Sequence, residues 1–359
     1  MSQILTSVRN VSQSIRHRGH LPPPRELRLD KLLEETDKPT RQALTGLIRR
    51  YADKALWPML DHAVETKRHF ERAYAVRLGC EAVGGDWRKL SSAMASVEFR
   101  FSSLVVVDDV FDNTGIRMGK PTLPQKWGNN IAVTIGAILK SLSSIALAEN
   151  LVESAASPSE CLRLVIEDEL SHYRVYLGQY SDLRSEEMSL DDVSLDFYLE
   201  MIKNTTGVDL GFCVQLGGTL AGGSAAQTQL LYEFGIALGT AMQLRDDLLD
   251  FIDSDSTINK TPFRDVSQKK KRLPLMIAYR LADSRTRTEI AGYFEKQELS
   301  KDDKTRLSNI VLDERILLYL NRLLSDLKKN AMEKFRDVDP PRFLVGVVKE
   351  ILEKILVLT

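Results

Sequence analysis

The chain has 359 residues, a formal net charge of −1, 43% hydrophobic residues and 28% charged residues. This composition leaves ample room for one large core, and the near-zero charge argues against nucleic acid as a partner. Its three cysteines, Cys80, Cys161 and Cys213, and its five histidines show no metal-ligand spacing, so free thiols in a reducing, cytoplasmic setting are expected.

Residues 1–30 are polar and broken by Pro22-Pro23-Pro24. They are expected to form a flexible arm that folds over an entrance, ahead of a single all-helical domain at 31–359. No secretory signal is evident, and no uninterrupted apolar run reaches membrane-spanning length, so no integral membrane association is expected. From Lys31 onward the apolar periodicity is helical. It predicts helices over 36–63, 69–83, 87–112, 128–155, 158–182, 193–221, 224–253, 272–282, 285–296, 300–308, 312–333 and 340–358. Gly84-Gly85-Asp86 separates two of them, with Asp86 as a cap. Ser157 and Pro158 suit an N-cap and first turn, and Pro274 suits another first turn. The fold class this predicts is an all-α bundle around long apolar central helices.

Two stretches carry the chemistry. In VVVDDVFDNTGIRMGK (105–120), Asp108, Asp109 and Asp112 close an apolar helix. Their spacing aims them toward one side. Like charges so placed repel unless a cation neutralises them, and hard oxygen ligands of this kind suit Mg²⁺. The alternative is a solvated acidic cap before Gly115. The second stretch, QLRDDLLDFID, repeats the spacing with Asp246, Asp247 and Asp250 after another apolar run. Two facing clusters would hold a metal-bridged diphosphate between them. An allylic diphosphate ionised there would leave a carbocation that needs a dry, apolar chamber. Arg117, Lys260 and Lys270 are candidates for neutralising the diphosphate, and Gln243, one turn before Asp247, would reach the same cavity. Lys269 and Lys271 read as a solvated face, with Arg272 a less specific candidate.

The pair of motifs resembles the trans-isoprenyl diphosphate synthase family, the polyprenyl synthetases. The matching segments are DDVFDNTGIRMGKPT (108–122), MQLRDDLLD (242–250), DVSQKKKRLP (265–274), and Gly178, Gln179 and Asp182. The resemblance runs from about Lys67 to Pro274. It implies an isoprenoid synthase (class I terpenoid synthase) bundle around a central cavity, usually a homodimer. It also implies Mg²⁺, three ions with bound diphosphate, on Asp108, Asp109, Asp112, Asp246 and Asp250. It makes a prenyl diphosphate the substrate, and places Arg117, Thr206, Gln243, Lys260, Lys270, Lys67 and Phe101 around it.

Departures from the family pattern are as informative. Lys67 is kept in the segment that binds isopentenyl diphosphate, but Phe70, Phe101 and Met118 stand where the family has polar anchors. Each lost charged hydrogen bond removes about 1.5–3 kcal/mol, so weak isopentenyl diphosphate binding is expected unless Arg68 or Arg72 compensates. YLEMIKNTTG (198–207) also loosely resembles a segment of class I terpene cyclases through Tyr198, Met201, Lys203, Thr205 and Gly207. The expected function is therefore Mg-dependent ionisation of farnesyl or geranylgeranyl diphosphate followed by cyclisation or rearrangement, a terpene synthase. The alternatives are prenyl transfer to a non-standard acceptor such as an indole, or ordinary chain elongation. Leu104 and Ser103, four and five before the first motif, are not aromatic and leave the cavity long. Arg100, lower on the same helix, either caps the pocket or pairs near Glu98.

Overall fold

The computed structural model describes residues 28–65, 69–154, 157–251, 263–296 and 298–356. Among them the fold is all α apart from one two-stranded hairpin. The elements are α1 (Arg28–Tyr51), α2 (Trp57–Glu65), α3 (Glu71–Ala82), α4 (Ser91–Phe111), β1 (Ile116–Arg117), β2 (Lys120–Pro121), α5 (Leu123–Trp127), α6 (Asn129–Glu153) and α7 (Pro158–Glu187). They continue with α8 (Leu195–Ile202), α9 (Val208–Leu220), α10 (Ala225–Leu249), α11 (Arg264–Ser267), α12 (Leu273–Leu281), α13 (Ser284–Tyr293), α14 (Lys301–Val311), α15 (Glu314–Asp337) and α16 (Arg342–Leu356).

Local chemistry sets the boundaries. Ser157 and Glu160 form a capping box, with Pro158 in the first turn, and so start the 30-residue α7. Asp86 caps the 3-10 turn that leads into α4 by accepting from the Arg88 amide. The helix expected over 36–63 is two helices. Asp53 accepts from the Ala55 amide and opens a 3-10 turn between α1 and α2, because a short acidic side chain competes with the helical backbone for its own donors. The start of α1 at Arg28 draws residues 28–30 of the expected arm into a helix; the rest of the arm lies outside the described residues. The helix expected over 193–221 is split by a π-helical segment, Lys203–Gly207, a form that often occurs at functional sites.

Central helices pack backbone to backbone. A Cβ on Gly79 of α3 would lie 1.9 Å from the Val214 carbonyl oxygen, and one on Gly217 of α9 would lie 1.9 Å from that of Val76. Only glycine permits this α3–α9 crossing. The same economy of volume brings α10 against α9, Gly239 against Thr206 and Gly235 against Gly211.

By length and composition, residues Trp87–Phe111 and Asn129–Glu153 could each cross a bilayer. Serines and charges interrupt both segments, so neither contains an uninterrupted apolar run of that length. In the first, 67% of the apolar window is buried in the bundle, which accounts for its composition.

Candidate functional site

The C-terminal ends of α4 and α10 meet at one cavity of about 510 Å³. Asp108 and Asp112 line one wall, and Asp246, Asp247 and Asp250 line the other. Leu104, Val175, Tyr176, Met201 and Ile202 supply apolar surface to the same cavity. Asp109 is different. Successive helical residues point about 100° apart, and Asp109 is buried and absent from the cavity wall. The expectation that all three carboxylates of the first cluster face the ligand is corrected to two.

Asp109 instead seats Arg117. The Arg117 Nε donates to Asp109 Oδ1 at 2.9 Å, and its Nη2 donates to the same oxygen at 2.7 Å and to Asp108 Oδ2 at 3.2 Å. The hairpin β1–β2 presents this arginine, with Met118 at φ 51° in its turn. Met118 is exposed and lines the cavity mouth.

The segment after the second cluster reaches across to the first. Lys270 Nζ contacts Asp112 Oδ1 at 2.7 Å and Asp182 Oδ2 at 3.0 Å. Arg264 donates to Asp112 Oδ2 at 3.2 Å and also to the Thr114 hydroxyl. Arg272 donates to Asp182 Oδ1 at 2.7 Å and pairs with Asp265 at 3.2 Å. Arg264 and Arg272 are thus site cations that the sequence ranked low or passed over, since nothing in a basic, polar loop separates a crossing charge from a solvated one. Lys269 is exposed as expected, at φ 58°. Lys271 is not. It is buried and donates to the Glu186 carbonyl at 2.7 Å, so its reading as part of a solvated face is corrected.

Behind the second cluster runs a hydrogen-bonded relay. The Thr206 hydroxyl donates to Gln243 Oε1 at 2.7 Å, and the Gln243 amide donates to Asp247 Oδ1 at 2.7 Å. The Tyr198 hydroxyl donates to Asp247 Oδ2 at 2.5 Å. Both Asp247 oxygens are therefore occupied by protein, whereas Asp246 is exposed and Asp250, half-buried, accepts from the Asp265 amide at 3.2 Å. Gly178 makes room for this arrangement, because a Cβ there would lie 2.7 Å from the Thr205 amide nitrogen of the π segment.

Phe101 lines the cavity with the Arg72 guanidinium 3.6 Å above its ring centroid. Arg72 Nε donates to Asp209 Oδ2 at 3.0 Å. Phe70 is buried in the core and is not among the cavity-lining residues. Arg100 pairs with Asp168 and Asp209 rather than near Glu98. Lys67 and Lys260 lie outside the described residues.

Electrostatics distinguish the carboxylates. Burial, then the charge of Asp112, raises the Asp108 carboxyl, opposed by Arg117 and Lys270. Burial raises Asp109 against Arg117, and burial pushes Asp247 up to about 6 against Arg272. Such groups gain from a further cation. At Asp182 burial also acts upward, but Arg272 and Lys270 outweigh it and hold the carboxyl below its ordinary range. Among the described residues, no three acidic, His or Cys side chains are gathered closely enough to hold an ion by themselves. A small hard cation that keeps waters and takes phosphate oxygens fits a donor set split between two walls.

The all-helical bundle, two acidic helix ends and one shared cavity define an isoprenoid-synthase fold. The model of the polyprenyl synthetase family matches residues 53–311. The chain belongs to that family, and is a prenyltransferase acting on allylic diphosphates. Over 331 residues it is 25% identical to a short chain isoprenyl diphosphate synthase of Methanothermobacter thermautotrophicus, covering 91% of this chain and 97% of that one. A geranylgeranyl pyrophosphate synthase of Geoglobus acetivorans is 25% identical over 329 residues, covering 91% and 99%. In fold it is similar to the crystal structure of a geranylgeranyl pyrophosphate synthase from Corynebacterium glutamicum complexed with isoprenyl diphosphate and magnesium. The TM-score is 0.80 at 21% identity, covering 92% of this chain and 99% of that one.

Proposed function

We propose that the protein ionises an allylic prenyl diphosphate between its two aspartate clusters and transfers the prenyl group to isopentenyl diphosphate, as a chain-elongating synthase. The observation that carries this is one cavity with acidic walls at the ends of α4 and α10 that also takes apolar surface from Leu104, Val175, Tyr176, Met201 and Ile202. The relatives support elongation over the cyclisation that the sequence pointed to, since they are named as synthases of isoprenyl diphosphates. Asp108, Asp112, Asp246 and Asp250 would hold Mg²⁺, as three ions when diphosphate is bound. Mg²⁺ bound there supplies neutralisation of the charge gathering on the departing diphosphate.

The chain's own residues do the rest. Arg117 and Lys270, seated on carboxylates at the mouth, turn to the diphosphate oxygens. Asp109 positions Arg117. Thr206 and Gln243 keep Asp247 fixed, which holds the end of α10 in place. Lys260 and Lys67 are assigned to the two diphosphates on motif grounds alone. The carbon–oxygen bond breaks with its electron pair going to diphosphate, the acceptor double bond attacks the allylic carbon, and a proton leaves the new cation. The apolar walls exclude water from that cation.

A second reading, transfer to an acceptor without a diphosphate, is favoured by one feature. Arg72 is stacked on Phe101 and already neutralised by Asp209, so it is a poor free anchor for a second diphosphate. Incubating the enzyme and Mg²⁺ with geranyl, farnesyl or geranylgeranyl diphosphate, with and without isopentenyl diphosphate, separates the readings. Longer diphosphates formed only with isopentenyl diphosphate support elongation. Hydrocarbon or alcohol formed equally without it rejects elongation, and turnover only with an added aromatic acceptor selects the second reading.

A homodimer is part of the proposal. Leu162, Ile166, Leu170, Tyr173, Leu177 and Tyr180 are exposed on α7 at spacings of four or three, the pattern of a helix–helix seam.

A further inference from the structure

Arg264 joins the two acidic clusters. Its chain neighbours are fastened to the second one. The Phe263 amide donates to the Asp250 carbonyl at 2.9 Å, and the Asp265 amide donates to Asp250 Oδ2 at 3.2 Å. Phe263 is buried at φ 63°, a left-handed conformation that bulky residues rarely adopt, and Arg264 follows it as the first residue of α11. The Arg264 side chain crosses to the first cluster. It donates to Asp112 Oδ2 at 3.2 Å and to the Thr114 hydroxyl, and it lines the cavity.

Both oxygens of Asp112 are thus taken by cations, Oδ1 by Lys270 at 2.7 Å and Oδ2 by Arg264. Gln268 Nε2 holds the same residue by donating to its carbonyl at 2.5 Å. Gln268 also lines the cavity, and its buried Oε1 has no donor among the described residues. An unmet buried acceptor of this kind is satisfied when a ligand brings a donor.

The cations differ in what they keep if Asp112 is given up. Lys270 has Asp182 at 3.0 Å, and Arg117 has Asp109 at 2.7 Å. Among the described residues, Arg264 pairs with no carboxylate but Asp112. A divalent cation that takes Asp112 therefore leaves a half-buried guanidinium without counter-charge. Its planar fork, freed between two acidic walls, suits phosphate oxygens.

We propose that Arg264 is a further diphosphate-binding residue, and that it holds the Asp112 carboxylate until metal and diphosphate arrive together. This rests on the allylic-diphosphate reading above. Without diphosphate, Arg264 competes with Mg²⁺ for Asp112. With diphosphate, Arg264 turns from Asp112 to the diphosphate oxygens, and the competition is relieved. Metal and diphosphate binding are thereby coupled, each raising the affinity for the other by the same factor.

Calorimetric titration with Mg²⁺ alone, and with inorganic diphosphate in excess Mg²⁺, tests this on the unaltered protein, Arg264→Gln and Arg264→Lys. Arg264→Gln should bind Mg²⁺ alone about fivefold tighter or more, and diphosphate with Mg²⁺ about tenfold weaker or more. A merely structural role would weaken both. In a variant with a cooperative urea transition, an unchanged diphosphate affinity, or two shifts in the same direction, overturns the proposal. Arg264→Lys keeps the charge without the fork, so its diphosphate affinity should lie between the other two. If Arg264→Gln does not fold, an unchanged diphosphate affinity in Arg264→Lys overturns the proposal instead. If the unaltered protein binds diphosphate no better with Mg²⁺ than without it, the two-cluster reading itself fails and the proposal falls with it.

Discussion

Two groups of charge are built on opposite principles: the aspartates at the cavity mouth, and the buried Arg100–Asp168–Asp209 cluster about two helical turns below them, of which only Asp209 lines the cavity. At the mouth, burial raises the Asp108, Asp109 and Asp247 carboxyls despite nearby cations, leaving a demand for positive charge that a ligand can meet. In the deeper cluster, burial acts the same way on Asp209, but Arg100 and Arg72 overcome it and hold the group below its ordinary range. The mouth is poised to take a cation, and the charges of the deeper cluster are already paired. Function and stability should therefore separate cleanly along the cavity axis.

The largest effect expected is in the deeper cluster. Arg100→Ala strands Asp168 and Asp209 in the interior and should lower stability by about 3–5 kcal/mol, read by urea denaturation. A loss below about 1 kcal/mol would place Arg100 in a wetter site than its zero exposure indicates. At the mouth, Asp108→Ala or Asp246→Ala should reduce kcat about a thousandfold while leaving the urea midpoint nearly unchanged. Retained turnover in both variants would reject the diphosphate mechanism. Asp109→Asn leaves the cavity wall intact and disturbs only the seat of Arg117, so a loss of about a hundredfold or less is expected. A loss equal to that of Asp108→Ala would restore Asp109 as a direct ligand. Thr206→Val breaks the relay to Gln243 and should alter stability by about 1 kcal/mol, measured by the same denaturation.

The smallest effect is a pH dependence at His172. Burial, then Lys140 and Arg100, pushes its imidazole down from 6.5 to about 4. The unfolded chain therefore takes up this proton first, and native stability falls as pH drops from 6.5 toward 4. His172→Gln should lose less melting temperature over that window than the unaltered protein. Equal losses would show that His172 titrates normally.

How much of this was legible in the sequence depended on whether a residue's role is local. Helical periodicity, the Ser157–Pro158 cap and both aspartate clusters are encoded within a turn or two, and Asp108, Asp112, Asp246, Asp247 and Asp250 line the cavity that the spacing predicted. The inward turn of Asp109 and the occupation of Asp247 by Tyr198 and Gln243 depend on which helix packs behind them. Periodicity does not carry that information. Arg100 shows the limit best. Its pairing partners are 68 and 109 residues away, so the sequence marked an oddly placed charge without supplying its counter-ions. Arg264 crosses 152 residues to Asp112 for the same reason, and no local signal marks it.

The central claim is that both clusters hold one diphosphate through Mg²⁺. Calorimetric titration with inorganic diphosphate, with and without Mg²⁺, tests it on the unaltered protein and on Asp108→Ala and Asp246→Ala. The account predicts binding that requires Mg²⁺ and is lost in either variant. Metal-independent binding that survives both substitutions would mean that the cations at the mouth hold the diphosphate alone, and would contradict it.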